Sequence, residues 1–180
     1  MTSNETANPA TLGLFGFGMT VILLSIHNMG FFGMDPTILA AAIFLGGIAQ
    51  VIAGMIEFKR NKMFTATVFT FFGLFWITFA TVEIGILGSA EHNALATMFL
   101  VFLILTSILF LGPFRSPRSF QLAFLMIVVL LIILTYGAFT GSEIAMQIGG
   151  AFGVVTGALA IYIASAEILN EQYQRPVLPL

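Results

Sequence analysis

Of the 180 residues, 59% are hydrophobic and 8% charged, and a mean hydropathy of +1.06 rules out a water-soluble domain. Six basic and eight acidic residues give a formal net charge of −2, and there is no cysteine, which excludes disulfides, thiolate metal sites and thiol catalysis. Long apolar stretches joined by short loops leave no room for a soluble enzymatic or nucleotide-binding module, and nucleic acid is not expected as a partner.

The stretches predict six membrane spans, at residues 9–31, 36–58, 63–87, 93–113, 117–139 and 143–169, each long enough for a hydrocarbon layer of about 30 Å. The expected fold class is an all-α membrane protein of six transmembrane helices. A pore domain over 9–173 lies between a short N-terminal segment, 1–8, and a tail, 174–180. Residues 1–8 lack the basic region of a signal peptide, so helix 1 is expected in the mature protein.

Helix 1 opens on Asn8-Pro9, a capping residue before a proline at the first helical position. Its positions Gly13, Phe17, Thr20, Leu24 and His27 or Asn28 share one face, expected to line a narrow polar and aromatic pathway. His27 either carries protons or hydrogen-bonds a neighbouring loop. Helix 2 starts at Asp35-Pro36, sets Ala42, Gly46, Gln50 and Gly54 along a close-packing face, and bears Glu57 near its end. Asn93, Ser116 (before Pro117) and Ser142 are the expected caps of helices 4, 5 and 6. On helix 6, Gly149, Gly153 and Gly157 make two GxxxG steps, which pack either within a protomer or between protomers.

All six basic residues fall in three groups, Lys59-Arg60-Lys62, Arg115-Arg118 and Arg175, each following a pair of spans. With both termini cytoplasmic every cation is inside, and the outer loops keep Asp35, Glu91 and Glu143, as the positive-inside rule requires. The spacing also suggests three repeated hairpins. Arg60 and Arg115 are 55 residues apart, while Glu57 and Glu167, like Gly47 and Gly157, are 110 apart.

Hydroxyls within the spans are expected to bond back to their own helices, whereas Asn, Gln, His and Glu favour an interior or a water-filled path. Glu57 and Glu167 lie near the basic groups, where they either pair with Lys or Arg or couple a proton to transport. No second His, close carboxylate pair or nucleophile with a base occupies neighbouring turns, so neither a metal, a cofactor nor an intramembrane enzyme is expected. With no Lys or Arg at mid-membrane, a small monoanion or its neutral acid suits the chain better than a multivalent anion.

Three stretches, Asn8 to Gly18 (NPATLGLFGFG), Gly46 to Gln50 (GGIAQ) and Tyr162 to Tyr173 with its LNEQY ending, together resemble the acetate uptake transporter family, the succinate/acetate permeases, over essentially the whole chain. Thr11 stands where that family usually has a second proline. The resemblance implies a homohexamer with one pore per protomer, moving acetate and related short carboxylates as an anion channel or a proton-coupled permease. It further implies a hydrophobic constriction of a Phe, a Tyr and a Leu, which fall here on Phe17, Phe72 and Ile127, so the tyrosine hydroxyl is missing. These positions are spaced 55 and 55.

The expected function is passage of acetate and related short carboxylates, succinate being the candidate beyond acetate, across the cytoplasmic membrane, in a lipid bilayer and with other copies of the chain as partners. A channel for a neutral solute such as urea or an amide, and a non-transporting scaffold or sensor, are the rival readings.

Overall fold

The computed structural model describes residues 7–115 and 117–180, apart from the side chains of His92 and Arg115; the expected Ser116 cap and residues 1–6 lie outside that set. Six helices are long and apolar enough to cross a membrane, and no strand occurs among the described residues. They are α1 (Ala10–Asn28), α2 (Pro36–Lys59), α3 (Met63–Ile84), α4 (His92–Leu109), α5 (Arg118–Thr140) and α6 (Glu143–Tyr173). Helices meet the bilayer's demand that each backbone polar group find a partner within its own segment.

The ends follow local chemistry. Asp35 Oδ1 accepts from Thr37 N at 2.8 Å and Ser142 Oγ from Ala145 N at 3.3 Å, both as N-caps. Asn8 Oδ1 accepts from Ala10 N at 3.1 Å, and Thr11 Oγ1 donates to Asn8 O at 3.3 Å, so the start of α1 is fastened despite the lost proline. Asn93 is not a cap: α4 begins one residue earlier, and Glu91 before it makes no capping bond. Three expected spans run too long, the fourth ending at Leu109 rather than at 113. Helix 1 stops at Asn28 ahead of Gly30 (φ 86°), and helix 3 at Ile84, where Gly85 takes φ 75°, a left-handed conformation that favours glycine. Helix 6 instead runs past 169 to Tyr173, and 31 residues make it about 46 Å long, well beyond the hydrocarbon thickness.

Thr81, Thr106, Ser107 and Thr156 donate to the carbonyl four residues back on their own helices, at 2.7 to 2.9 Å. Within α2, residues Ala42–Ala49 form a π-helical stretch that the apolar pattern does not signal. A Cβ on Gly16 would strike Leu45 O, and one on Gly73 would lie 2.8 Å from Gly47 O. The widened stretch is thus clasped by α1 on one side and α3 on the other.

Glycine contacts also carry the repeat. A Cβ at Gly18 of α1 would come within 2.7 Å of Gly157 O and 3.2 Å of Ile161 N of α6; one at Gly73 of α3 would meet Gly47 O at 2.8 Å and Val51 N at 2.9 Å of α2. Gly18 and Gly73 are 55 residues apart, and Gly157 and Ile161 stand 110 from Gly47 and Val51. In the third unit the equivalent positions are Val128 and Phe102, so α4 and α5 lack the glycine contact. Phe102 instead packs on Phe72 and Phe75 of α3, with ring centroids 6.3 and 4.7 Å apart. Only 17% of the α4 span is buried in the protomer, against 39–50% for the other five, so α4 is the helix left most open to lipid or to another copy.

Gly46 lies against Trp76 and Thr20, Gly54 against Thr70 and Ala66, Gly149 against Leu134, Gly153 against Ser25 and Gly157 against Gly18 and Ile22. All five therefore pack within one chain. Of the two packings that the sequence leaves open for the glycine steps, the structure shows the one within the protomer.

Backbone does not yield as a side-chain tip does. Gly157→Ala, facing Gly18 O, is expected to cost about 1–3 kcal/mol, as overpacking does. Gly149→Ala, facing the movable Leu134 Cδ2, is expected to cost less, and thermal unfolding of the detergent-solubilised protein ranks the two.

Candidate functional site

Two cavities lie in line through the bundle. The upper one, about 630 Å³, is lined by Val21, Leu24, His27, Asn28, the rings of Phe75, Phe79 and Phe99, and Glu83, Glu143 and Gln147. The lower one, about 400 Å³, is lined by Asn8, Gln50, Glu57, Arg60, Lys62, Thr65, Thr156 and Glu167 among apolar residues. Three residues line both: Phe17, Phe72 and Ile127. The rings of Phe17 and Phe72 meet edge to face with centroids 5.9 Å apart, both nearly fully buried. Polar chemistry therefore stops on either side of an apolar level supplied by α1, α3 and α5.

The cavities differ in charge. Lys59, Arg60, Lys62, Arg118 and Arg175 all sit at one end of the bundle, where α2 ends, α3 and α5 begin and α6 ends. The upper cavity has Glu83 and Glu143 and no Lys or Arg. Asp35, also at that end, has its carboxyl held below the usual range by the Thr37 hydroxyl and backbone N–H.

At the floor of the lower cavity the polar side chains form one network. Arg60 Nη1 donates to Glu57 Oε1 and to Asn8 Oδ1, both at 3.1 Å, and Thr65 Oγ1 donates to Glu57 Oε2 at 2.9 Å. Asn8 Nδ2 donates to Glu167 Oε2 at 3.4 Å. Glu57 is thus paired with a cation, whereas Glu167 reaches Asn8. Gln50, 2% exposed, has no partner for Oε1 although it lines the cavity.

Of the pathway residues expected on α1, Leu24, His27 and Asn28 line the upper cavity and Asn8 the lower. Gly13 and Thr20 line neither. Gly13 is covered by the Phe69 ring, and Thr20 Oγ1 donates to Ala41 O at 3.2 Å, at the junction with the π-helical stretch. His27 Nδ1 makes a 2.9 Å contact with Phe32 O, the bond to a neighbouring loop, while its ring faces the cavity. Among the described residues no group of three His, Cys, Asp or Glu could hold a metal ion.

Comparison with known proteins supplies the family. The family model described as GPR1/FUN34/yaaH matches residues 1–179. The chain belongs to that family. It is 40% identical to the succinate-acetate/proton symporter SatP of Escherichia coli K12 over all of its own length and 98% of the relative's. A second relative, the ammonia transport outward protein 2 of Saccharomyces cerevisiae, is 33% identical over 94% of this chain and 64% of the yeast protein. Among solved structures, the bacterial acetate channel SatP superposes with a TM-score of 0.94 at 40% identity, covering 98% of this chain and 99% of that one.

Arg60, Thr65 and Gln50 were not singled out as site residues by sequence. Arg60 reads as one of a solvated trio, yet its guanidinium turns back under Glu57 and Asn8. Gln50 has a signal of its own, a carboxamide amid apolar residues at mid-span, but the same pattern also fits a packing face.

Glu57 has 3% of its side chain exposed, so removing its cation leaves a buried charge uncompensated. Arg60→Met is expected to destabilise this family member by about 3–5 kcal/mol. Adding Glu57→Gln should return most of the loss, as read from unfolding midpoints of the single and double variants.

Proposed function

We propose that this chain carries acetate and related short carboxylates, succinate among them, across the cytoplasmic membrane, through one narrow pore in each protomer of a homohexamer. The observation that carries the reading is the pair of cavities meeting only at Phe17, Phe72 and Ile127. On this reading those residues are a hydrophobic constriction, which opposes passage by shedding water from an apolar ring. Membership of the family makes the chain a transport protein rather than an enzyme, and the relatives named for acetate suggest the substrate.

Orientation follows from charge: all described basic positions share one end of the bundle, which supports a cytoplasmic location for that end and for both termini. In this arrangement residues 9–173 are the pore domain and 174–180 a cytoplasmic tail. Self-association is supported by the shallow burial of α4, at 17% of its span. From the cytoplasmic side, a carboxylate meets Arg60 and Lys62, then the Asn8 and Gln50 side chains, before the apolar level. Beyond it lie Leu24, Asn28 and His27.

Purified protein in liposomes should take up labelled acetate, with competition by succinate and none by urea; competition by urea alone would favour a neutral-solute channel, and no flux a scaffold. Phe17→Ala should admit larger carboxylates, because it removes one of the two rings in contact at the constriction. Phe72→Tyr, restoring the family's hydroxyl, should change the rate without abolishing flux. Unaltered flux and selectivity in Phe17→Ala would take Phe17 out of the gate.

Whether a proton accompanies the substrate turns on His27, Glu57 and Glu167. If one is coupled through them, His27→Ala, Glu57→Gln or Glu167→Gln should flatten the pH dependence of uptake. A pH profile preserved in all three supports an anion channel or passage of the neutral acid.

A further inference from the structure

Helix α6 does not release the chain where it ends. Gln174 takes a left-handed backbone (φ 52°) and turns the polypeptide back on itself. Asn170 then holds the returning segment on three sides: its Oδ1 accepts from Val177 N at 2.6 Å and Leu178 N at 2.9 Å, and its Nδ2 donates to Leu178 O at 2.8 Å. Tyr162 Oη donates to Pro179 O at 2.7 Å. Tyr162 precedes Asn170 by eight residues, about 12 Å along the helix, so the segment descends antiparallel to α6, back toward the bilayer.

Such a descent is costly for a backbone unless its polar groups are met. Here they are. Pro176 and Pro179 have no N–H, Asn170 serves Val177 and Leu178, and Tyr162 serves Pro179. The segment delivers Leu180 to the lower cavity, where it joins Asn8, Arg60, Lys62 and Glu167 in the lining. Leu180 and Val177 are still 42% and 41% exposed, a shallow seating that favours reversible release.

We propose that residues 176–180 are a hinged apolar strap that narrows the basic mouth of the lower cavity, and that its release from Asn170 and Tyr162 sets how freely solute reaches the pore. The inference rests on the transport reading for its consequence, but its geometry can be tested apart from transport. Because the chain has no cysteine, Leu180→Cys gives a single reactive thiol. A membrane-impermeant maleimide should modify it slowly in the otherwise unchanged protein. In the Asn170→Ala background, where three hydrogen bonds are lost, modification should be roughly tenfold faster. Tyr162→Phe, which removes one bond and little volume, should give a smaller increase.

In liposomes, Asn170→Ala and Leu180→Ala should both raise the initial rate of labelled acetate uptake several-fold at the basic face. Elution from size exclusion identical to the parent's checks that the variants are folded. Equal labelling rates in the two backgrounds would overturn the strap, as would Leu180→Ala folded like the parent with unchanged or reduced flux. Should the parent itself move no carboxylate while the labelling rates still differ, the strap stands and the transport reading falls.

Discussion

Close approach of backbone to backbone at Gly18 with Gly157, and at Gly73 with Gly47, sets the positions on which the site depends. Each of these contacts sits one residue after a member of the apolar level, Phe17 before Gly18 and Phe72 before Gly73. Successive residues on a helix point about 100° apart. A glycine fixed against the outer helix therefore aims the preceding side chain inward, and a one-residue slip of α1 or α3 would turn the ring away from the axis. In the third unit Ile127 precedes Val128, and no glycine performs this service. There the level is completed by packing alone, with Phe102 spanning toward Phe72 and Phe75. The pseudo-repeat is two close-packed pairs and one looser pair.

Charge is arranged so that none is stranded at the middle of the membrane. The buried Glu57 is answered by Arg60 at 3.1 Å and by Thr65 at 2.9 Å, and Arg60 also reaches Asn8, which begins α1. One guanidinium thus ties the end of α2 to the start of α1, while Thr65 adds α3. On the proposed reading the same group is the first cation that an entering carboxylate meets. The upper cavity has the opposite bias, with Glu83 and Glu143 and no Lys or Arg, so an anion meets fixed basic side chains at one mouth only.

Much of this was legible in the sequence. Six spans, the grouping of cations, the caps at Asp35 and Ser142 and the 55-residue period each rest on local composition or spacing, which the fold preserves. Positions 17, 72 and 127 come from resemblance together with that period, and the structure brings them together where two cavities meet. The lining of α1 was less legible. An amphipathic face presumes one polar and one apolar side, but α1 is packed by α6 through Gly18 and by the π-helical stretch of α2 through Gly16, leaving a narrow strip for the cavity. Thr20, read as pathway, is spent on Ala41 O. The π-helical stretch was illegible for a related reason: it is clasped between two other helices, and residues 42–49 alone do not record those partners.

Glycine content illustrates a force that sequence alone leaves unassigned between protomer and assembly. In water a stripe of small residues opposes stability by burying little, whereas in lipid, where apolar burial does not discriminate between protein and solvent, close approach is itself the attraction. The glycines of α2 and α6 are consumed in that way inside the protomer. On the proposed reading, self-association draws on a surface the bundle leaves unused, and α4, with 17% of its span buried and no glycine contact to α5, offers one. The helix that departs most from the repeat is thus free to pack outward, so the broken symmetry of the protomer and its proposed assembly have one physical origin.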